Sequence, residues 1–289
     1  MSARVAIVWR VTVWSPGRRK NQLALETPYE GVPEHLRQPL WSWLEPILIG
    51  NSHFVVGAGL ELRVALPDLT YGTAPPVSKL RDLSKADPGL FLDLIEYVLE
   101  RRNLDETGTL RNKRAPQGVG KLELMLELGN SAYKVREDGS SLEMRTLPAV
   151  QQQVQGVVDT AGAAGAHLAD AWNAAYSRTP DPVKSYYESV KAVEAALASK
   201  ISPNNSKATL GSMIADLKNK PEKWKFVIPD GTHSKGVETL LGLMQVLWQR
   251  NARHGGPDHK PETLEEAQAA VHLAATLVQF GVSGAFDLA

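Results

Sequence analysis

Apolar residues recur at the spacing of an α-helix through most of the second half of the chain. The clearest stretches are 235–252 and 262–281, where apolar side chains repeat at intervals of three and four residues. Such a stripe marks the buried face of an amphipathic helix. The same pattern predicts helices over 149–177, 182–199 and 207–219, and hence a C-terminal helical bundle. The inward positions predicted for the second of these three are Val183, Tyr186, Tyr187, Val190, Val193 and Leu197.

The first half has a less regular pattern. Apolar spacing predicts a helix over 88–102 and a shorter one near Leu122, whereas the apolar run 57–67 fits either a helix or a strand. Thr73-Ala74-Pro75-Pro76 is expected to form a loop. Glu137-Asp138-Gly139 lies between two short alternating runs, and Asp-Gly in that position predicts a β-hairpin.

These elements predict a mainly α fold class, with an N-terminal mixed helical region that carries a small β-hairpin and a C-terminal helical bundle. The predicted domains are a basic N-terminal arm over 1–25, a mostly helical domain with the hairpin over 26–147, and the bundle over 148–289. No acidic residue precedes Glu26, so the arm is basic. A frayed tail and an arm that touches an RNA backbone are both consistent with it.

The composition excludes some kinds of site but does not by itself identify a function. The 289 residues are 43% hydrophobic, enough for a buried core, and 32 basic side chains balance 32 acidic ones. A global attraction to nucleic acid is therefore absent, so any such contact is expected to be local. The chain has no cysteine, which excludes disulfides, thiolate zinc sites and a cysteine nucleophile.

Two features of the sequence predict a cytoplasmic protein with no membrane partner. No apolar run reaches the roughly 18 residues that a membrane-spanning helix needs. Near the start, Arg18-Arg19-Lys20 follows the apolar residues 5–14 instead of preceding them. A secretory signal has the opposite order, with its positive charge first.

The highest concentration of side chains suited to catalysis or phosphate binding lies in the run Arg250-Asn251-Ala252-Arg253-His254-Gly255-Gly256, at the end of the helix predicted over 235–252. An imidazole exchanges a proton near neutral pH, and a guanidinium holds phosphate oxygens in a planar fork. Arg250 and His254 are four residues apart, so they share a face if the helix persists that far. These groups equip the run to cut or grip a phosphodiester without a metal.

Other polar residues lie on or near apolar stripes. Glu194 falls at the edge of one, where a carboxylate needs a partner, and we predict that it orients the guanidinium of Arg250 or Arg253. His272 lies on or near the inner stripe of the last helix, which is typical of a hydrogen-bonded core histidine. No metal or cofactor is predicted, because the remaining histidines show no metal-ligand spacing. These histidines, which are far apart in the sequence, are His35, His53, His167 and His233.

Several segments together carry a resemblance to a known family. In the second half they are 192–196, 207–211, 265–271 and the run Leu247-Trp248-Gln249-Arg250-Asn251-Ala252-Arg253-His254-Gly255. On these segments the chain resembles the C-terminal domain of abortive-infection proteins of the HEPN (higher eukaryotes and prokaryotes nucleotide-binding) superfamily. The first half, through 31–36 and 129–133, is similar to the N-terminal region that often precedes such domains.

The resemblance implies a helical bundle that forms a homodimer, with two Arg-x4-6-His motifs meeting at the dimer cleft. Active members are metal-independent endoribonucleases that serve as toxins in defence against phage and leave a 2′,3′-cyclic phosphate. The histidine acts on the 2′-hydroxyl or the leaving oxygen, and the arginine stabilises the charge that develops on phosphorus. The implied catalytic pair is Arg250 and His254, supported by Asn251 and Glu194, while Arg253 contacts the RNA phosphate.

The motif departs from the family pattern in one respect. Three residues separate Arg250 from His254, whereas the family usually has about four to six. Three functions therefore stay open. The second half could cleave RNA, it could bind nucleotide or RNA without cleaving it, or it could only dimerise as part of a regulatory protein. A phage-derived or regulatory trigger is expected to act through the N-terminal domain.

Overall fold

The computed structural model describes residues 28–50, 52–67, 74–103, 118–228, 233–249 and 261–289. These residues are mainly helical, with eleven α-helices and four short strands, which confirms the predicted mainly α class. The chain divides into two compact units, Met1–Arg145 and Thr146–Ala289. The arm predicted over 1–25 lies outside the described residues.

The first unit is built on helices that enclose one hydrophobic core. The core draws on every one of these helices, with Leu40, Leu80, Leu94 and Leu122 fully buried. The apolar run 57–67 is helical as far as Glu61. The helices are α1 (Glu34–Ile49), α2 (Ser52–Glu61), α3 (Ala74–Ala86), α4 (Pro88–Asn103) and α5 (Val119–Leu128).

The predicted hairpin closes the first unit and is confirmed. Strands β1 (Tyr133–Val135) and β2 (Leu142–Met144) pair antiparallel. Gly139 turns between them with φ of 73°, a left-handed conformation that glycine adopts without steric cost. The Asp138 carboxylate accepts the Ser140 N–H at 2.9 Å, which fixes the turn.

The second unit is a set of packed helices, as predicted. Helix α8 packs against both α7 and α11, and the residues buried on these three helices are rich in alanine. The side chains of Thr209 and Thr263 cap α9 and α11 through capping boxes, which explains where these helices begin. The helices are α6 (Pro148–Thr160), α7 (Ala163–Tyr176), α8 (Pro182–Ile201), α9 (Leu210–Asn219), α10 (His233–Gln249) and α11 (Leu264–Val282).

The structure corrects three of the predictions made for the helices of the two units. The helix expected over 149–177 is two helices, because Gly162 adopts φ of 56° and ψ of −123° and ends α6. Ala74, Pro75 and Pro76 are not loop residues but the start of α3, since proline is tolerated in a first helical turn whose N–H groups need no helical acceptor. Val183 and Tyr187 are 43% and 41% exposed, so they lie off the buried stripe of α8.

The polar segment after α9 also contains structure that the sequence pattern did not indicate. A 3₁₀ turn at Pro221–Lys223 leads into strand β3 (Trp224–Phe226), which pairs antiparallel with β4 (Phe286–Leu288). Trp224 stacks on Phe286 with ring centroids 5.2 Å apart. This pairing joins the polar segment to residues far along the chain, so local periodicity gives no sign of it.

Candidate functional site

The predicted motif residues Arg250, Asn251, Arg253 and His254 lie outside the described residues. The structure describes the residues that precede and follow this motif in the sequence. Helix α10 leads to Gln249, and the chain is described again from Pro261. Glu262 is buried directly before the capped start of α11.

The last turn of α10 is fastened to α8 by a buried tyrosine. The Tyr186 hydroxyl donates to the Leu247 carbonyl at 3.0 Å, and the Val246 carbonyl lies 3.5 Å away. Backbone carbonyls near a helix end lack helical partners, so a side-chain donor there satisfies them. The residue that precedes Arg250 in the chain therefore belongs to a helix that is anchored on its neighbour.

Glu194 is buried on α8 and caps another helix. Its Oε1 accepts the N–H of Leu210, the first residue of α9, at 3.0 Å, and its Oε2 lies 2.9 Å from the Lys191 ammonium. A carboxylate at a helix N-terminus is favoured by the free N–H groups and by the helix dipole. The predicted pairing of Glu194 with Arg250 or Arg253 involves residues outside the description and stays a prediction.

Replacing Glu194 by alanine is expected to lower the free energy of unfolding by about 2–3 kcal/mol, because a charged hydrogen bond and a half-buried ion pair are lost together. Glu194→Gln keeps an acceptor for Leu210 and should cost about half as much. Denaturant unfolding followed by circular dichroism measures both. Glu238 is exposed on α10, so Glu238→Ala is the matched control; equal effects of the two alanine variants would contradict the capping role.

His272 is the hydrogen-bonded histidine that its position predicted. Its Nε2 lies 2.8 Å from the Tyr176 hydroxyl oxygen, and its ring meets Trp172 edge to face at 5.7 Å between centroids. Burial lowers the pKa of His272 below its ordinary 6.5 and raises the pKa of Tyr176 to about 12. Both groups are therefore neutral at pH 7.

This pair predicts a loss of stability in mild acid. Because the pKa of His272 is lower in the folded chain, its contribution is complete above pH 6.5 and falls as the pH drops from there through the folded-state pKa. The free energy of unfolding, measured from pH 8 to pH 5, should fall less steeply in His272→Gln than in the unchanged protein. An unchanged slope in that variant would assign the acid sensitivity to other groups.

His167 shows no metal-ligand spacing in the sequence, and the structure gives it a different partner. Its Nδ1 lies 2.7 Å from Glu188 Oε2, joining α7 to α8. The two residues are 21 positions apart and neither belongs to an apolar stripe. Only the antiparallel packing of the two helices brings them together, so no local pattern could have identified the pair.

Neither a metal centre nor a membrane span is found in the part of the chain that the structure describes. No group of three or more histidine, aspartate or glutamate side chains there has the arrangement of a metal site. No helix there combines the length and the apolar character that crossing a membrane requires.

The chain was compared with protein-family models, with curated proteins and with solved structures. None of the three comparisons finds a match.

Proposed function

We propose that this protein is an abortive-infection effector whose C-terminal helical unit is HEPN-like and cleaves RNA without a metal ion. The observation that carries the proposal is the sequence position of Arg250-Asn251-Ala252-Arg253-His254 directly after α10. That helix buries its apolar stripe and is held to α8 by Tyr186. Catalytic groups need rigid support, and the helix that ends directly before the motif in sequence is an anchored core helix.

The proposed reaction is an internal transesterification. The 2′-oxygen of one nucleotide attacks the adjacent phosphorus, the bond from phosphorus to the 5′-oxygen breaks, and the products are a 2′,3′-cyclic phosphate and a 5′-hydroxyl. The 2′-hydroxyl loses a proton and the departing 5′-oxygen gains one, and His254 acts as the base at the first or as the acid at the second. The Arg250 guanidinium binds the phosphate oxygens as negative charge builds up on them. No water and no metal ion enter this step.

The other predicted residues have supporting roles in this proposal. Asn251 buttresses the motif, and Arg253 binds a neighbouring phosphate of the RNA. Glu194 is already held by Lys191 and by the N-terminus of α9, so a guanidinium beside it would meet a carboxylate in a fixed position. Two copies of the chain, joined through their C-terminal units, would bring two motifs to one cleft.

The direct test is cleavage of end-labelled single-stranded RNA by the purified protein in excess EDTA. We expect cleavage to persist and the products to carry 2′,3′-cyclic phosphate and 5′-hydroxyl ends. An otherwise identical RNA with 2′-O-methyl groups should stay intact, because it lacks the attacking oxygen. Cleavage of the methylated RNA, or cleavage that EDTA abolishes, would contradict the mechanism.

A non-catalytic HEPN module that binds nucleotide or RNA is the second candidate function. It is favoured by the short spacing between Arg250 and His254. It predicts retention of intact RNA or nucleotide with no product on prolonged incubation. A gel shift of the same RNA measures binding, and a denaturing gel measures cleavage, so together they distinguish the two functions. If the protein bound neither RNA nor nucleotide, the dimerising regulatory role would be left.

A further inference from the structure

A pocket in the first unit is lined by one face of α1 together with residues of α3 and α4. Its volume is about 340 Å³, which lies in the range of small-molecule sites. Helix α1 presents Glu34, Arg37 and Trp41 to it, at the three- and four-residue spacing of a single helix face. Arg81 and Lys85 face it from α3, also four residues apart.

The side chains that line the pocket are predominantly cationic. Arg37, Arg81 and Lys85 supply three positive charges, Glu34 supplies one negative charge, and the other lining residues are uncharged. Each cation also has a carboxylate partner at the surface, but only Glu34 among these partners belongs to the lining. Exposed ion pairs of this kind are weak and exchange readily. Among the lining residues alone, positive charges outnumber negative ones by two, and the two carboxylate partners outside the lining offset this charge until a ligand displaces them.

Trp41, which is one of the residues that line the pocket, carries a buried donor without an acceptor. Trp41 is 2% exposed, and its indole N–H has no hydrogen-bond partner among the described residues. Leaving such a group unsatisfied is costly, and native structures rarely do so without a ligand or water at the site. The neighbouring indole of Trp43 shows the ordinary arrangement, because its N–H donates to the Gly118 carbonyl at 2.9 Å.

Two of the cations make further contacts near Trp41. The Arg81 guanidinium lies 5.7 Å from the centroid of the Trp41 ring and donates to the Gln38 amide oxygen at 3.0 Å. Arg37 donates to the Lys85 carbonyl at 2.8 Å. Phe91 meets Trp41 edge to face and adds an apolar wall. Charge and donors are thus held beside an aromatic surface.

We infer that this pocket binds a small phosphate monoester. Such a group carries about −1.5 to −2 charges at pH 7 and several strong acceptor oxygens, which matches both the excess charge and the free indole donor. Guanidinium groups bind phosphate oxygens in a fork, and the aromatic wall would contact the organic part of the ester. The inference stands on the first unit alone and does not depend on the proposed cleavage of RNA.

The test is a titration of the full-length protein with AMP, followed through the indole N–H resonances of Trp41 and Trp43, which the Trp→Phe variants assign. Saturable movement of the Trp41 resonance, with the Trp43 resonance unchanged, is expected. Cyclic AMP and adenosine carry the same base and ribose with less or no charge, so both should bind at least about tenfold more weakly. Inorganic phosphate should bind, because it supplies the anionic group.

A matched pair of arginine variants tests the role of the cations. Arg81→Gln should weaken AMP binding about tenfold or more. Arg101 makes the same kinds of contact outside the pocket, with the Tyr97 ring and with Glu61, so Arg101→Gln should leave the affinity unchanged. Thermal unfolding of both variants shows whether they are folded. Absence of saturation with every probe, or equal affinity for AMP, cyclic AMP and adenosine, would overturn the inference.

Discussion

Substitution of His254 by alanine should lower the rate of RNA cleavage by about 10²–10⁴-fold, the usual contribution of a positioned acid or base. The loss follows because His254 is the only residue of the proposed mechanism that moves a proton at the 2′-hydroxyl or at the leaving oxygen. Single-turnover cleavage of end-labelled RNA in EDTA measures it. In cells, the same variant should lose the growth arrest that expression of the unchanged protein is expected to cause.

The control is a second histidine five residues further along the chain. His259→Ala removes an imidazole from the same segment but not from the motif, and it should cleave at the original rate. Arg250→Lys keeps the positive charge and loses the planar fork, so its rate should lie between those of the unchanged protein and His254→Ala. Each variant is prepared in parallel with the unchanged protein, so that a contaminating nuclease would be detected. Full activity of His254→Ala would then refute the catalytic role of His254.

Introducing a single methyl group at Gly165 should destabilise the second unit by about 3 kcal/mol. A Cβ atom there would overlap the Val158 carbonyl oxygen and crowd its carbon and Cα atoms. These are backbone atoms of α6, so a side-chain rotation cannot relieve the overlap. Denaturant unfolding should show an earlier midpoint for Gly165→Ala, with the signal from the first unit changed little.

A nearby glycine provides the opposite expectation. Gly156 lies on the exposed side of α6, and a Cβ there would meet no atom within 4 Å. Because alanine is the better helix former, Gly156→Ala should stabilise the protein by up to about 1 kcal/mol. If Gly165→Ala were as stable as Gly156→Ala, the close contact of α6 with α7 would not exist in solution.

The elements that could be predicted from sequence are those with local causes. Helices α10 and α11 repeat their apolar positions over many turns, and Asp138-Gly139 marks its hairpin directly. The start of α3 is not predictable, because Pro75 and Pro76 are typical of a loop unless their place in a first helical turn is known. The break at Gly162 is not predictable either, because the flanking alanines favour helix on both sides.

The sites depend on contacts between distant residues, which periodicity does not provide. Trp41 and Arg81 belong to different helices, and nothing in either helix indicates that their faces meet. The position of His272 predicts a hydrogen-bonded histidine, but nothing near it in sequence indicates its partner Tyr176, which lies 96 residues earlier. The roles of Arg250 and His254 rest on sequence and resemblance and stay predictions.

The alanine-rich packing of α7, α8 and α11 has a consequence for how this unit can vary. Alanine has no rotamers to exchange, so a larger neighbour cannot be accommodated by rearranging side chains. Ser185 and Ser189 are buried in α8 with their hydroxyls donating to backbone carbonyls, so small polar residues are already accepted there. In a library of random substitutions at these alanines, serine and glycine should survive where valine and leucine are eliminated. Molecular volume, more than polarity, would then set the mutational tolerance of this interface.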